Sequence, residues 1–136
     1  MIVYLDSSAL LKRILDEERT KELRDQLDAW NGEGAQFVTS QLAEIEVARG
    51  LRSRIDIDVE SQAFARALDE VWDGVAVAPL DRQVVSTSQI IGPPLLRTLD
   101  AIHLATAVLL RVDRLVTYDD RMLDVAAGLG VVTERP

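Results

Sequence analysis

Four acidic residues occupy positions from which their carboxylates could act together. Asp6 directly follows the first apolar run, Ile2–Leu5, and Asp119 follows another apolar run late in the chain. Asp100 opens the most apolar helical segment, and Glu46 lies in the helical segment after the second apolar run. Mg²⁺ and Mn²⁺ prefer oxygen ligands, and two such ions ~3.5–4 Å apart can activate water and stabilise the leaving oxygen of a phosphodiester. The four acids together therefore predict a metal site suited to phosphodiester chemistry.

Each acid taken alone also has a plain structural explanation. Aspartate caps helix N-termini and complements the helix dipole, and for Asp100 or Asp119 in isolation capping is the favoured interpretation. Asp6 in isolation fits a loop acid as well as a ligand. The chain has no cysteine and a single histidine, His103, which is compatible with a site built from carboxylates.

The elements that must position these acids alternate between strand and helix. Hydrophobic periodicity predicts strands at residues 2–5, 36–39, 75–78, 115–117 and 131–133. It predicts helices at residues 9–15, 20–30, 40–54, about 64–72, 81–92, 98–112 and 121–127. Strands separated by helices imply parallel crossovers, hence a three-layer α/β/α sandwich with a mainly parallel, about five-stranded sheet. In such a sheet Asp6 and Asp119 lie at the C-terminal edge of the strands, where ligands bind.

Length and composition limit the classes of protein. With 136 residues, 48% of them hydrophobic, the chain is predicted to form one domain over residues 1–136. No apolar run reaches the ~18 residues of a membrane span, the N-terminus lacks secretory-signal features, and cysteine is absent, so a cytoplasmic protein is expected. The net charge of −8 opposes nucleic-acid binding overall, although divalent cations and clustered arginines could offset it locally.

Four segments resemble the motifs of PIN-domain ribonucleases, and among these most closely the VapC toxins of bacterial toxin–antitoxin pairs. The segments are YLDSSALLK at 4–12, TSQLAEIEVARG at 39–50, LDAIHLA at 99–105 and VTYDDRM at 116–122. The stretch AAGLG at 126–130 is similar to the usual C-terminus. The resemblance covers nearly the whole chain, with the motifs in the family's order and spacing.

The resemblance implies a function and a set of site residues. It assigns the metal-binding and catalytic acids to Asp6, Glu46, Asp100 and Asp119, with Ser7, Ser8 and Thr117 as supporting polar residues. These acids would bind one or two Mg²⁺ or Mn²⁺ ions for cleavage of RNA, and the first and fourth strands would be neighbours. The implied partners are a cognate VapB-like antitoxin covering the acidic cleft and a second copy of the chain, for which the apolar early helices could supply the surface.

For two of these assignments, Glu46 and Asp119, a nearby acid is an alternative. Helical periodicity places Glu44 on the face of Val47, whereas the family pattern Glu-x-x-x-Gly, which ends here at Gly50, favours Glu46. Asp120 competes with Asp119 in the same way. There the pattern Thr-Tyr-Asp favours Asp119, and Asp120 is predicted to cap the following helix.

Two further polar residues have alternative explanations. His103 lies one turn after Asp100 and could hydrogen-bond a carboxylate, although a packed structural histidine is the favoured interpretation. Arg121 could pair with Asp119 or contact a phosphate of the substrate, and the sequence does not choose between these.

Rival classes of protein fit the same residues less well. A phosphoacceptor receiver domain needs a lysine after a late strand, but the only lysines are Lys12 and Lys21. A haloacid-dehalogenase-like phosphatase needs Asp-x-Asp after the first strand, where this chain has Asp6 followed by two serines. Two alternatives stay open: a PIN nuclease of RNA processing without an antitoxin, and a non-catalytic protein-binding α/β domain whose acids are caps and surface charge.

Overall fold

Five parallel strands form the single sheet of the computed structural model, which describes residues 1–136. The strands are β1 (Ile2–Leu5), β2 (Gln36–Ser40), β3 (Val75–Ala78), β4 (Arg114–Val116) and β5 (Thr133–Glu134), in the spatial order β3-β2-β1-β4-β5. In the central strand Tyr4 is in register with Val38 of β2 and Leu115 of β4. The predicted parallel sheet, with the first and fourth strands as neighbours, is confirmed.

Seven helices cover the two faces of this sheet. They are α1 (Ser7–Ile14), α2 (Thr20–Gly32), α3 (Leu42–Arg54), α4 (Gln62–Trp72), α5 (Arg82–Ser88), α6 (Thr98–Leu109) and α7 (Asp120–Gly128). Val3 and Leu5 of β1 pack against α1 to α4, whereas Tyr4, on the opposite face, packs against α6 and α7. The predicted three-layer α/β/α architecture is therefore confirmed. None of the helices is both long and apolar enough to cross a bilayer.

The larger of the two cores lies under the early helices. It contains 13 buried residues, among them Leu10, Leu23 and Val47, and each such side chain contributes about 1.5–3 kcal/mol when fully buried. The apolar faces of α1 and α2 are therefore mostly buried inside the chain, whereas Ile45 of α3 is 61% exposed. The most exposed large apolar side chains are Ile90 (84%) and Leu95 (97%), both between α5 and α6.

Helix α1 begins two residues before its predicted start. Asp6 has an extended backbone, and its side chain accepts a hydrogen bond from the backbone N–H of Ala9. This is N-capping geometry, so the helix starts at once after the strand. The sequence pattern treated Asp6 only as a strand-tip acid and therefore placed the helix start too late.

Two boundaries near the C-terminal half also differ from the prediction. Helix α6 ends at Leu109 because Arg111 adopts a left-handed conformation (φ 52°) and the N–H of Val112 bonds back to the helix. Strand β5 starts at Thr133 instead of residue 131, since the N–H of Val131 still donates to the carbonyl of Ala126 at the end of α7. In both places an apolar residue, Val112 or Val131, donates its N–H to a carbonyl of the preceding helix and so belongs to the end of that helix. The apolar pattern predicts a longer helix at Val112 and a strand at Val131.

The central strand defines a topological switch point. Chain connections leave β1 toward β2 on one side, while β4 lies on its other side, so the loops after β1 and β4 diverge at the C-terminal edge. Ligands of open α/β sheets bind in the crevice at this point. Asp6 follows β1 and Asp119 follows β4 by three residues, so the fold brings two of the predicted site residues to one crevice.

Candidate active site

Asp6 is the most completely held of the four acids. Its side chain is buried, with residue exposure of 4%. Oδ1 accepts hydrogen bonds from Ser8 Oγ at 2.6 Å and from the Ala9 N–H at 2.9 Å, and Oδ2 accepts one from Thr117 Oγ1. Burial raises the pKa of Asp6 above its usual value, and these hydrogen bonds oppose that rise because they stabilise the carboxylate.

The same hydroxyl groups join the turns after β1 and β4. Ser8 Oγ accepts a hydrogen bond from the Tyr118 N–H at 2.9 Å, and Thr117 Oγ1 accepts one from the Asp119 N–H at 3.1 Å. Each hydroxyl donates to Asp6, and each makes one hydrogen bond within its own turn and one to the other turn. Ser8 and Thr117, predicted as supporting residues, fix the position of Asp6 relative to Asp119.

Asp119, and not Asp120, caps helix α7. Asp119 Oδ1 accepts a hydrogen bond from the backbone N–H of Arg121 at 2.8 Å. The prediction that Asp120 caps this helix is wrong, because the helix starts at Asp120, whose carboxylate pairs with Arg135 Nη2 at 2.7 Å. Asp119 keeps a second carboxylate oxygen that accepts no hydrogen bond, so capping leaves it able to bind a further ligand.

Glu46 reaches the crevice through a chain of hydrogen bonds. Its Oε1 accepts a hydrogen bond from Ser7 Oγ at 2.6 Å and lies 2.5 Å from His103 Nε2. His103 Nδ1 is in turn 2.7 Å from the hydroxyl of Tyr4. Burial would raise the pKa of Glu46, but the hydrogen bond and charge of His103, together with the Ser7 hydroxyl, outweigh burial and lower it. The competing Glu44 is exposed on the outer side of α3.

A close approach of two helices allows the contact between Ser7 and Glu46. Gly50 lies one turn after Glu46 on α3, and a Cβ at this position would stand 2.5 Å from Leu11 Cδ1 of α1. That distance is too short for two carbon atoms, so a side chain at residue 50 would force Leu11 to move. Glycine therefore lets α3 pack against α1 closely enough for Glu46 to reach Ser7.

Asp100 differs from the other acids in having no hydrogen-bond partner. It lies in the first turn of α6, and its Oδ2 is buried without a donor. Burial and the negative charge of Asp119 raise the pKa of Asp100, and Glu46 adds to the rise, while His103 and Arg97 oppose it. These mutual effects mean that Asp100, Asp119 and Glu46 share one electrostatic environment.

The donor types fit a hard divalent cation, while the present side-chain arrangement does not enclose one. No three Asp, Glu, His or Cys side chains are grouped so that they could hold an ion together. Available oxygens are Glu46 Oε2, Asp119 Oδ2 and both oxygens of Asp100, none of which accepts a hydrogen bond. Carboxylate oxygens of this kind are the usual protein ligands of Mg²⁺ and Mn²⁺. The fit therefore rests on donor chemistry and on the unpartnered Asp100.

Sequence reasoning undervalued two residues of this site. His103 is both buried, at 3% exposure, and hydrogen-bonded to Glu46, so the two interpretations of this residue are not exclusive. Tyr4, whose hydroxyl contacts the other ring nitrogen of His103, has only a strand position in the sequence pattern. A usable signal was its position two residues before Asp6, which places both side chains on the same face of the sheet.

The parallel sheet, with Asp6 and Asp119 following the neighbouring strands β1 and β4, defines the class of this protein as a parallel α/β domain with an acidic crevice at its switch point. The family model described as PIN domain matches residues 3–128. The chain therefore belongs to the PIN-domain family, and its relatives place it among the VapC ribonucleases.

Curated relatives and solved structures agree with this membership. The chain is 36% identical to Ribonuclease VapC47 of Mycobacterium tuberculosis, over 99% of this chain and 97% of that protein. It is 40% identical to Ribonuclease VapC46 of the same organism, over 98% and 97% respectively. The fold resembles VapBC2 of Rickettsia felis, solved with a promoter DNA fragment, with a TM-score of 0.72, 12% identity and coverage of 99% and 98%. It also resembles the sarcin–ricin-loop-cleaving toxin VapC20 of M. tuberculosis, with a TM-score of 0.71, 14% identity and coverage of 98% and 99%.

Proposed function

We propose that this chain, as one PIN domain over residues 1–136, is a divalent-metal-dependent endoribonuclease and the toxin of a VapBC-like pair. The observation that carries the proposal is the unpartnered, buried Oδ2 of Asp100 beside two further acids. A buried carboxylate oxygen without a donor is costly unless a ligand satisfies it. The names of the VapC ribonucleases, to which the chain is 36% and 40% identical, support RNA as the substrate.

The cation would be held by Asp6, Glu46, Asp100 and Asp119. When bound, Mg²⁺ or Mn²⁺ lowers the pKa of water and stabilises charge on a phosphodiester oxygen, which is the chemistry that hydrolysis of RNA requires. Asp100 and Asp119 offer oxygens free of hydrogen bonds, and Glu46 offers Oε2. Bringing positive charge to these acids also relieves the repulsion that raises the pKa of Asp100.

The remaining polar residues orient these carboxylates. Ser8 and Thr117 fix both oxygens of Asp6, and Ser7 and His103 fix Oε1 of Glu46. Such partners of ligating side chains typically change metal affinity or activity 10–100-fold when removed, an effect expected here at about that scale. The chain thus supplies a prepositioned set of oxygens on one side of the crevice.

The partner in this proposal is a short VapB-like antitoxin that obstructs the acidic crevice, for which a basic side chain is suited. Solved structures of similar fold include VapBC assemblies and a toxin–antitoxin complex from Klebsiella pneumoniae. The proposal also includes that the chain forms a homodimer and acts in the cytoplasm. The exposed apolar residues Ile90 and Leu95 between α5 and α6 are suited to a contact between copies, because α1 and α2 bury most of their apolar side chains inside the chain.

Cleavage of RNA by the purified protein tests the enzymatic part. Total bacterial RNA is incubated with Mn²⁺, with Mg²⁺ or with EDTA, and new 5′ ends are mapped. The proposal expects discrete cuts that need the cation and vanish in Asp100→Asn, while Glu44→Gln, on the exposed side of the same α3 helix as Glu46, keeps them. Cuts that persist in Asp100→Asn with contaminating nuclease excluded would overturn it.

Growth and co-purification test the toxin assignment separately. Induction of the wild-type chain is expected to arrest growth, and induction of Asp100→Asn is not. A short partner encoded beside the chain should co-purify with it and restore growth. A cation-dependent nuclease that neither arrests growth nor retains such a partner would instead be the RNA-processing enzyme named above.

A further inference from the structure

A small pocket adjoins Asp100, and Glu46 is not among the residues that line it. Its volume is about 250 Å³, and its lining includes Asp100, Arg97, Arg121, Leu96 and Val125. Arg97 precedes helix α6 and Arg121 lies in the first turn of helix α7. The pocket is therefore lined by two arginines, one just before α6 and one in α7, and by one of the four acids.

Neither arginine side chain forms a hydrogen bond or an ion pair within the protein, although the charge of Arg97 acts on Asp100. The side chains of Arg97 and Arg121 are exposed and form no hydrogen bond or ion pair, whereas Arg13 donates to two backbone carbonyl groups and Arg114 pairs with Glu134. Arg121 therefore does not pair with Asp119, which removes one of the two roles that its sequence position suggested. Both guanidinium groups are therefore available for hydrogen bonds to a ligand.

The positions of the two arginines disfavour a purely structural role. A helix N-terminus carries partial positive charge, so acidic or hydroxyl side chains stabilise it and cationic ones do not. Arg97 occupies the N-cap position of α6 with extended backbone (φ −63°, ψ 143°) and makes no capping hydrogen bond. A serine would cap the helix there. Two cations placed at two helix N-termini around one pocket thus point to a ligand of opposite charge.

We propose that Arg97 and Arg121 bind a backbone phosphate of the RNA substrate next to the scissile bond. The inference rests on the proposed function and adds a substrate-binding subsite to it. The planar guanidinium group can donate two parallel hydrogen bonds to phosphate oxygens, which suits it to this ligand. Asp100, one of the proposed cation ligands, lines the same pocket, so a phosphate held by the two arginines would lie next to the site of cleavage.

The test uses the RNA segment in which the wild-type cut is mapped, with Mn²⁺ present. Steady-state cleavage is compared among wild type, Arg97→Ala, Arg121→Ala and the matched control Arg66→Ala. Arg66 lies on α4, is exposed, and contacts only Gln62 one turn away. Binding of the same labelled segment is then measured by fluorescence anisotropy against salt, with every variant placed in an Asp6→Asn background to prevent cleavage.

Each pocket substitution is expected to lower kcat/KM at least about tenfold, since hydrogen bonds to charged groups are the strong ones. Each should also make the slope of log affinity against log salt shallower by about 0.7, the value of one phosphate contact on single-stranded nucleic acid. Arg66→Ala should change neither. Arg121→Lys should keep the salt slope but lose part of the affinity, because it retains the charge without the paired donors.

Arg97→Ser separates loss of binding from loss of folding. It should raise Tm by a few degrees because it supplies the missing N-cap, while weakening RNA binding as Arg97→Ala does. If wild type cuts RNA and both alanine variants match Arg66→Ala in kcat/KM and salt slope, the subsite is wrong and the nuclease proposal stands. If wild type cuts no RNA with Mn²⁺, the proposed function itself fails.

Discussion

Asp6 and Asp100, on the two sides of the crevice, differ in burial and in the hydrogen bonds that their carboxylates accept. Asp6 is nine-tenths or more buried and has three donors, from Ser8, Ala9 and Thr117. Asp100 is less buried and has none, with one buried oxygen unpartnered. Burial raises the pKa of both acids, but only for Asp6 do hydrogen bonds from the protein oppose it.

This difference shows which carboxylate receives its hydrogen-bond donors from the folded chain and which one lacks them. The turns after β1 and β4 are interlocked through hydroxyl groups, so Asp6 is positioned as the chain folds. The negative charge of Asp119 repels that of Asp100, and no group of the chain donates a hydrogen bond to the buried Oδ2 of Asp100. Glu46 belongs with Asp6, because Ser7 and His103 hold it and lower its pKa. We infer that a cation completes the Asp100 side.

The largest expected effect is on catalysis. Asp100→Asn and Asp6→Asn should each reduce RNA cleavage at least about 10³-fold, because each removes charge that is worth several kcal/mol in a metal-assisted transition state. Initial rates on the mapped RNA segment measure this, with Glu44→Gln as the variant expected to match wild type. Near-normal cleavage by Asp100→Asn would contradict the division of roles between the two sides.

A smaller loss of activity is expected when a hydroxyl that hydrogen-bonds Asp6 is removed. Thr117→Val removes the hydroxyl that contacts both Asp6 and the Asp119 N–H, and should lower kcat/KM about 10–100-fold. Thr106→Val is the matched control, since Thr106 is also buried but bonds only the backbone of its own helix, at Ile102. Equal losses in the two variants would show that Thr117 has no special part in the site.

The two sides should also respond oppositely in stability. Asp6→Ala removes an N-cap and leaves the buried Thr117 hydroxyl and the half-buried Ser8 hydroxyl without an acceptor, so unfolding free energy should fall by about 1–3 kcal/mol. Asp100→Asn removes a partly buried, unsatisfied charge and should raise it by up to about 0.5 kcal/mol in EDTA at pH 7. Urea unfolding measures both values. A loss of stability in Asp100→Asn as large as that in Asp6→Ala would remove the contrast.

The pH dependence of stability gives the smallest effect. A raised pKa means that folded Asp6 and Asp100 keep protons that the unfolded chain has released. Stability of the metal-free protein should therefore decline as pH rises from the ordinary aspartate value of 3.8 through the folded pKa values. Glu46, with its lowered pKa, contributes oppositely and loses its contribution as pH falls below 4.5. Asp6→Asn combined with Asp100→Asn should flatten the decline, and superimposable profiles would contradict the two shifts.

Much of the fold could be predicted from the sequence because the strands and helices alternate with clear hydrophobic periods. The sheet order needed more, since it followed from the family resemblance and not from the periodicity. The boundaries that failed were those governed by caps and helix closures. Asp6 starts α1 through its side chain, and Val131 still belongs to the closure of α7. Apolar patterns carry no information about these hydrogen bonds.

The candidate site was predicted as a set of residue types, and the structure adds their different environments. Sequence alone could not reveal that Asp100 lacks a donor while Asp6 has three, because these donors come from distant parts of the chain. It also could not link His103 to both Tyr4 and Glu46, which are 99 and 57 residues away in sequence. Their roles as ligands remain predictions that depend on metal binding.

Calorimetric titration of the RNA-free protein with Mn²⁺ tests the central claim most directly, because it needs neither the substrate nor the partner. Wild type and Glu44→Gln should bind Mn²⁺ with the same affinity, and Tm should rise with its concentration, by an amount equivalent to about 2.7 kcal/mol at one hundred times Kd. Asp100→Asn should lose both the heat of binding and the rise in Tm. Equal Mn²⁺ binding by wild type and Asp100→Asn, or none by either, would contradict an acidic crevice completed by a cation.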